Sequence, residues 1–531
     1  MSRTRWLLPF SAAIALCGCA HDTRVSSDVS TTSHAGVLRV AIEQDVKTLN
    51  PTLASTTVDT FVQRLMFEPL ISADSHGMPV PILASGVPSL ANGGISRDGL
   101  TVVYHLRRSP HWSDGVAVTS ADVKFSWSAI MNTQNNAVSR HGYDDVAAID
   151  ARDPYTVVVR LKHPFAPFVN TFFAESDQPY TIVPAHVLAK YPNVNQIPFN
   201  TDPSVSDGPF LFESWVHGDH ISFKQNPNFF FGPPRLRSVD VLVVPDENTG
   251  VSMLRTGEID FMYQPSIVTY PTIHDIPGVH VVWDKMNGWA GVQVNMSHPP
   301  LNDPRVRDAI ALAIDKTKIA QTVTFGQERV ATGDIPDWVW AARGLPPYGG
   351  ADVARAETLL HQAGVRNVSL LLIADAANAT HHRVAVEIQS MLQRVGIQTE
   401  IKYYPADLMY APAGMGGVMH GGRFDLAVET WYAGIDPDNA SQFTCAMMPP
   451  NGYNDARYCN PEMEALQREA LATNDLAQRA DLYRKIETLV VRDHPIIPFW
   501  WMLQAEAISD RFSGFSPNPV CESWNSWQWE I

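Results

Sequence analysis

The apolar residues in the second half of the chain recur at the spacing of helices, with short apolar runs between them. One helix is expected to begin at Asp303 and another at Asp352, because an aspartate side chain caps the free N–H groups of a first turn. A strand is expected over 368–373, then a helix that ends before Gly396, and then a strand over 397–403. This order is a βαβ crossover, so the region is predicted to contain parallel sheet within an α/β layer.

The first half of the chain has mainly the pattern of strands. The apolar run Val37–Ile42 predicts a buried opening strand, and residues 98–106 and 155–161 are rich in β-branched and aromatic side chains. Between the last two, Thr119 and Asp122 have the spacing of a capping box, which predicts a helix.

The C-terminal region is predicted to be helical and then extended. A helical pattern covers 461–491 with an interruption near Asn474, and the segment 496–502 is apolar and aromatic, as in a strand. The sequence contains no internal repeat.

The N-terminus has the pattern of a processed bacterial signal. Arg3 and Arg5 precede an apolar run over 6–16, and the sequence Leu-Cys-Gly-Cys that ends at Cys19 looks like a lipobox with this cysteine as the acylated residue. Residues 1–18 are therefore expected to be a lipoprotein signal peptide. The alternative, a buried N-terminal helix, fits the short apolar run less well.

This processing would place the mature chain outside the cytoplasm, held to a membrane only by the lipid on Cys19. Residues 19–35 are mostly polar and have almost nothing to bury, which predicts a flexible stalk. The roughly 500 residues that follow exceed what one hydrophobic core usually supports, so two or three domains or one large bilobal body are expected.

The chain is acidic. Removal of residues 1–18 takes away two arginines and no acid, so the formal charge changes from −16 to −18, with 37 basic against 55 acidic residues. This charge argues against a nucleic-acid partner and is typical of the solvated surface of extracytoplasmic proteins. The 14 tryptophans supply material for cores and leave aromatic side chains for a cleft.

Three cysteines remain once Cys17 and Cys19 are assigned to the N-terminal signal. Cys445 and Cys459 lie on either side of a loop-rich stretch, and an oxidising compartment favours a disulfide between them. The alternative is a metal site, but no further Cys or His lies at the required spacing. Cys521 has no obvious partner.

No catalytic motif is found in the sequence, so neither enzymatic activity nor a cofactor or metal is predicted. The glycine-rich run 414–422 lacks dinucleotide-binding spacing and is interpreted as a mobile surface loop. His381 and His382 are adjacent and should point in different directions on a helix, away from a shared metal. Asp436 and Asp438 could be the two carboxylates of a glycosidase. Two carboxylates this close in one loop more often mark a turn, here at the proline between them.

A series of short motifs follows in order along the chain from about Val37 to the C-terminus. They are Leu49-Asn50-Pro51, Trp112-Ser113-Asp114-Gly115 with 119–125, Asn226-Pro227-Asn228-Phe229, Gly257-Glu258-Ile259-Asp260, 303–310, Ala363-Gly364 and Asp436-Pro437-Asp438. Each has a plain structural interpretation as a turn or helix start and is weak alone. In this shared order the chain resembles the extracellular solute-binding proteins of family 5, the dipeptide, oligopeptide and nickel group that serves ABC importers.

The resemblance implies an α/β, bilobal, periplasmic-binding-protein-like fold of type II, with an extra subdomain inserted in the first lobe. Solute is enclosed between the lobes by hinge closure. Carried onto this chain, lobe I takes 36–78, 180–275 and 496–531, the inserted subdomain takes 79–179, and lobe II takes 276–495.

The resemblance also implies ligand-binding positions. Asn50 follows the first strand, Trp289 lies where relatives line the cleft, and Trp431 and Tyr432 precede a position that binds ligand in relatives. Aromatic side chains there would stack on sugars, peptide planes or cationic groups. The alternative for each of them is packing within a lobe core.

One departure bears on the solute. Similar peptide-binding members carry an aspartate that pairs with the peptide's α-ammonium at the position occupied here by Ala433, and an enclosed ammonium without a partner is costly. Asp436, Asp207 or another carboxylate supplies the charge, or the solute has no free amino terminus there. Asp207 stands where the family usually has threonine, and it is equally well interpreted as a local backbone acceptor.

The sequence thus predicts a lipid-anchored substrate-binding protein of an ABC importer, which captures a peptide or peptide-like solute and delivers it to a permease and its ATPase subunits. A monomer is expected. The same scaffold could instead bind an oligosaccharide, an opine or a metal chelate, or serve as a sensor or chaperone. A secreted hydrolase is disfavoured because the sequence shows no catalytic pair.

Overall fold

A mixed sheet of eleven strands forms the centre of the computed structural model, which describes residues 36–176, 178–342, 344–366, 368–411 and 413–531. The predicted signal peptide, stalk and lipidated Cys19 lie outside the described residues. Among the residues that are described, no helix is both long and apolar enough to cross a membrane.

The strands of the described part are named in chain order. They are β1 Val37–Ile42, β2 Ile71–Ala73, β3 Pro79–Pro81, β4 Thr101–His105, β5 Val146–Asp153, β6 Thr156–Leu161, β7 Phe210–Val216, β8 His220–Gln225, β9 Ser238–Val243, β10 Phe261–Met262, β11 Val279–Val294, β12 Arg329–Val330, β13 Val368–Asp375, β14 Ile397–Tyr404, β15 Leu426–Tyr432 and β16 Ile496–Ser509.

The α-helices are named in the same way. They are α1 Thr57–Gln63, α2 Ser120–Met131, α3 Phe168–Thr171, α4 Ala185–Leu188, α5 Glu247–Thr256, α6 Tyr270–His274, α7 Pro304–Ala313, α8 Lys316–Val323, α9 Val353–Gln362, α10 Ala379–Arg394, α11 Ala406–Met409, α12 Ala440–Phe443, α13 Pro461–Ala472 and α14 Leu476–Asp493.

The predicted caps are present at the helix starts. Asp303 accepts a hydrogen bond from Arg305 N at 2.9 Å, and Asp352 accepts one from Arg355 N, also at 2.9 Å. At the start of α2, Asp122 accepts from Thr119 N at 2.8 Å, the reciprocal bond of a capping box. These short-range contacts explain why the helix starts could be predicted from local sequence.

The βαβ crossover is confirmed. β13 and β14 pair in parallel from Val368 and Ile397 onward, and α10 connects them. The predicted C-terminal strand is also present, but it continues past residue 502 to Ser509.

The main sheet has the order β14-β13-β15-β11-β16-β10-β1-β9-β8-β7, with β12 paired to β16 at the side. The long antiparallel strands β11 and β16 are its centre, and their register shifts between Lys285 and Trp289. A smaller antiparallel sheet, β4-β6-β5, lies within the predicted inserted subdomain.

Two large hydrophobic cores meet within the central strands. One core contains Val40 of β1 and Val102 of β4, so the small sheet packs in the same core as the first half of the main sheet. The other contains Val292 of β11, Ile388 of α10 and Phe499 of β16. β11 and β16 therefore run through both cores, which makes them the connection between the two halves.

The glycine-rich run 414–422 differs from the surface loop expected from the sequence. Val418 and Met419 in its middle are buried and pack in a small core with Met409 and Phe424. The surrounding glycines obscure this pattern, because two apolar residues are too few to show a period.

Candidate functional site

A cavity of about 870 Å³ lies between two parts of the chain. Residues from 138–144 and 167–176 line one side, and residues from 410–455 line the other. The volume lies in the range of about 300–1,000 Å³ that is usual for small-molecule sites. The cavity is therefore the candidate binding site.

The two sides of the cavity touch at Gly434. A Cβ atom on Gly434 would lie 2.7 Å from Ser176 Cα, so only glycine fits this approach. The next residue, Ile435, donates its N–H to Glu175 O at 3.0 Å. Because both Gly434 and Ser176 line the cavity, this contact forms part of its boundary.

The strand β15 presents Glu429 and Trp431 to the cavity. Residues two apart lie on the same face of a strand, and both side chains line the space. The Trp431 ring meets the ring of Tyr453 edge-on, with centroids 5.4 Å apart. Tyr410 and Tyr432 also line this wall, which is therefore rich in aromatic side chains.

Glu429 is the buried acid of this wall. The residue is 7% exposed. Within the described part of the chain, no hydrogen-bond donor reaches its Oε2 atom. Burial raises the pKa of Glu429 well above its ordinary value, and the negative charge of Asp455 raises it further. Burial raises the pKa of Tyr410, and the nearby charge of Glu429 adds to this rise.

The neighbouring Asp455 has partners of its own. His420 Nδ1 lies 2.9 Å from each of its carboxylate oxygens, and Arg457 Nη1 lies 3.8 Å from Oδ1. The two adjacent acids thus differ: the protein compensates Asp455 and leaves Glu429 without a cation among the side chains it describes.

The opposite side of the cavity carries a guanidinium. Arg140 Nη2 donates to two backbone carbonyls, Asn132 O at 3.2 Å and Asn135 O at 3.0 Å. It forms no ion pair with any carboxylate that the structure describes, and its Nε–H is buried without an acceptor there. Arg140 thus provides a cation on the side of the cavity that also carries Asp144, whereas Glu429 lies on the other side.

Asp436 lines the cavity but is bound by protein groups. Arg479 donates to both of its oxygens, at 2.9 and 2.7 Å, and Asn170 Nδ2 donates to Oδ2 at 3.2 Å. Asp438 N donates to Asp436 Oδ1 at 3.2 Å, and Asp438 Oδ1 accepts from Ala440 N at 3.0 Å. These contacts are those of the predicted turn.

Trp289 lies behind this wall, beside a second cavity of about 30 Å³. Trp431 and Asp436 line both spaces. Trp289 Nε1, Asn287 Oδ1 and Asp334 Oδ1 are buried around the small cavity without a described partner. Its size and polar lining suit an ordered water rather than a solute.

The structure thus brings together four of the residues predicted to bind ligand, Trp289, Trp431, Tyr432 and Asp436. Asn50 and Asp207 line neither cavity. Their binding role stays a prediction.

Both of these residues accept hydrogen bonds from backbone N–H groups. Asn50 Oδ1 accepts from Thr52 N at 3.1 Å and so caps a short turn. Asp207 Oδ1 accepts from Glu68 N at 3.2 Å, so Asp207 is a backbone acceptor, but for a residue 139 positions away rather than for a local turn. Burial raises the pKa of Asp207 well above its ordinary value, and the charge of Glu68 adds to this.

The predicted disulfide is confirmed beside the cavity. Cys445 and Cys459 are bonded, with their Cα atoms 4.8 Å apart, which excludes a metal site at these cysteines. The bridge encloses a segment from which Met447 and Tyr453 line the cavity. Of the other described cysteines, Cys521 is free and buried.

The two histidines of α10 point apart, as expected. His381 Nε2 lies 3.1 Å from Thr430 Oγ1, whereas the ring of His382 packs on Tyr403 with centroids 4.0 Å apart. Over the described residues, no group of three or more His, Cys, Asp or Glu side chains is placed to hold a metal ion.

A comparison with known families decides what kind of protein this is. The model of the bacterial extracellular solute-binding proteins, family 5 Middle, matches residues 80–453, which is more than half of the chain. The chain belongs to this family. It is therefore an extracytoplasmic, substrate-binding component of an ABC importer, and the predicted resemblance is confirmed.

Individual family 5 relatives match almost the whole chain. The glutathione-binding protein GsiB of Salmonella choleraesuis (strain SC-B67) is 26% identical over 485 residues, which cover 90% of this chain and 91% of that protein. The crystal structure of the ABC transporter substrate binding protein CtaP from Listeria monocytogenes has a TM-score of 0.83 at 22% identity, covering 94% of this chain and 99% of the other.

NikZ from Campylobacter jejuni, in complex with Ni(L-His), has a TM-score of 0.78 at 22% identity and covers 94% of this chain and 100% of the other. These structural similarities confirm the α/β bilobal fold predicted for this family 5 protein.

Glu429, Arg140 and Tyr453 were not among the residues predicted to bind ligand. A signal for Glu429 exists, because it is the single charged residue in strand β15, whose other residues apart from Thr430 are apolar or aromatic, and a buried acid there needs a partner. Arg140 and Tyr453 lie in loops without periodicity, so nothing local distinguishes them from surface residues.

Proposed function

We propose that this protein captures a peptide-like, zwitterionic solute in the 870 Å³ cavity and delivers it to a membrane permease. The observation that supports this most directly is that Glu429 and Arg140, two opposite charges from the two sides of the cavity, line it together with the rings of Trp431 and Tyr453. A short peptide carries a cation, an anion and flat amide planes, which suit an acid, a guanidinium and aromatic rings respectively.

The family relatives favour the same solute class. GsiB is named as a glutathione-binding protein, and glutathione is a small peptide with both charges. The cavity volume admits a solute of this size. NikZ was solved with Ni(L-His), so a metal chelate is the main alternative, together with an oligosaccharide or an opine.

We also propose that the protein is a monomer held to the membrane by lipid on Cys19, after removal of residues 1–18. Lobe I would comprise 36–78, 180–275 and 496–531, with the inserted subdomain at 79–179 and lobe II at 276–495. The strands β11 and β16, which run through both cores, would then be the hinge.

Thermal unfolding of the soluble chain that begins after Cys19 tests the solute class. The panel is glutathione, a tetrapeptide with a free or an acetylated amino terminus, maltotriose, octopine and Ni(L-His). A bound solute stabilises the folded state by about 2.7 kcal/mol at a hundred times its dissociation constant. Glutathione or the free peptide is expected to raise the unfolding midpoint. A rise with maltotriose, octopine or Ni(L-His) alone would refute the peptide-like class.

A further inference from the structure

Glu429 differs from the other acids that line the cavity wall of β15 and the following turn. Asp436 is bound by Arg479, and Asp455 by His420. Glu429 is buried like Asp436, at 7% exposure against 8%, yet the described side chains provide neither a cation nor a donor for its Oε2 atom. Other buried acids, such as Asp284 and Glu506, also have an oxygen without a described donor, but they do not line this cavity. Glu429 does line it, so a solute can supply the partner that an ionised buried carboxylate needs.

The surroundings of Glu429 favour a positive group. Trp431 lies two residues along the same strand, and its ring contacts Tyr453 at 5.4 Å between centroids. The faces of aromatic rings carry negative potential and attract ammonium and guanidinium groups. An ionised Glu429 would repel an anion placed beside it. A cation from outside the protein therefore suits this wall best.

We propose that Glu429 is the counter-ion for a cationic group of the solute, an ammonium or a guanidinium, and so determines the substrate class as cationic or zwitterionic. This inference rests on the proposed function, because it places the solute in the same cavity. It answers the question raised by Ala433: the acid is supplied from β15 rather than from the turn that contains Asp436 and Asp438.

The position of Glu429 has a geometric consequence. It precedes Ala433 by four residues of nearly extended chain, and a strand rises about 3.3 Å per residue. The cation of the solute would therefore lie roughly 13 Å along the strand direction from the turn, on the side of Trp431 and Tyr410. The opposite end of a zwitterionic solute would then be free to reach Arg140 across the cavity.

Isothermal titration calorimetry on the soluble chain tests this role. The probes are a free tetrapeptide, its acetylated form, and acetylated peptides that carry one lysine or one arginine. In E429Q, we expect affinity for the free peptide to fall by about tenfold or more, because a charge-assisted contact is lost. Affinity for the acetylated form should not change, and E429D should recover part of the loss. In the wild type, binding of the acetylated peptide with lysine or of the one with arginine shows which cation the acid prefers.

E400Q is the matched control, because it removes the same charge from an exposed glutamate on β14, outside the cavity. Its affinity for the free peptide should equal that of the wild type. The inference is overturned if E429Q binds the free peptide as tightly as the wild type, or if the wild type binds both forms equally. If no peptide binds and Ni(L-His), maltotriose or octopine does, with equal affinity in E429Q, the proposed function fails as well.

Discussion

Arg479 holds Asp436 through two parallel hydrogen bonds, from Nη1 to Oδ2 at 2.9 Å and from Nη2 to Oδ1 at 2.7 Å. Both side chains are buried, and the residues are 43 positions apart in the sequence. Because the bond is bidentate, the acid is neutralised within the protein. This contact fixes the turn that carries Ala433 and Gly434, and it leaves Asp436 without a free charge for a solute.

Breaking this pair should strongly destabilise the protein. Arg479→Met keeps most of the side-chain volume but leaves Asp436 buried without its cation, which is expected to lower the free energy of unfolding by about 3–5 kcal/mol. Denaturant unfolding measures this loss. Adding Asp436→Asn should recover part of it, because the uncompensated charge is then removed.

Arg492→Met serves as the comparison for that variant. Arg492 pairs with Asp493 and Glu462 at the surface, so its loss should change the free energy of unfolding by no more than about 1 kcal/mol. Equal effects of the two substitutions would contradict the role given to the Arg479–Asp436 pair.

Trp431 should contribute directly to solute binding. Its ring is half-buried in the cavity wall, and Trp431→Ala removes both the contact with Tyr453 and the surface on which a solute can stack. We expect a loss of about 1 kcal/mol or more in binding free energy, measured by titration calorimetry with the free tetrapeptide. Trp215→Ala, in the edge strand β7, should leave the affinity unchanged.

The pH dependence of stability should report Glu429. Its pKa is raised in the folded state, so above its ordinary value of 4.5 the unfolded chain loses the proton first, and folding becomes less favourable as pH rises toward the folded pKa. E429Q removes this penalty. Its unfolding midpoint should exceed that of the wild type at pH 8 and approach it near pH 4.

Calorimetric scans from pH 4 to pH 8 measure this difference. Asp455 and Tyr410 are the titratable neighbours of this carboxylate, and His420 and Arg457 contact Asp455. All four remain in both proteins. The difference between the two curves therefore isolates Glu429. Parallel curves across the whole range would show that this carboxylate has the same pKa in the folded and unfolded chains.

The disulfide should matter for both stability and binding. It closes a loop of about 15 residues, and replacing both Cys445 and Cys459 by serine should cost about 3 kcal/mol on chain-entropy grounds. Tyr453 lies inside this loop, so solute affinity should fall too. Unfolding midpoints with and without reductant measure the effect, and Cys521→Ser, which leaves the bridge in place, should keep the wild-type response to reductant.

The membrane attachment is tested by Cys19→Ser. Without an acylated cysteine the protein should move from the membrane fraction to the soluble extracytoplasmic fraction after cell lysis. Solute binding should be unchanged, because the described residues that line the cavity all lie from 138 onward. Membrane retention of the variant would refute the lipid anchor.

The sequence by itself determined the local elements, the family and one covalent bond. The caps at Asp303 and Asp352 and the crossover around α10 depend on contacts between residues a few positions apart, which periodicity reveals. The Cys445–Cys459 bridge was predictable for the same reason, since its partners flank one loop.

Only the tertiary structure decided which acids and aromatic residues form the site. Asp207 and Asp436 had the expected sequence context, but one contacts Glu68 and the other Arg479. Glu429 resembled an ordinary strand residue until Tyr410, Trp431 and Asp455 were placed around it. The physical reason is that the burial and partners of a charge depend on residues far apart in the sequence, which the periodicity of a single segment does not contain.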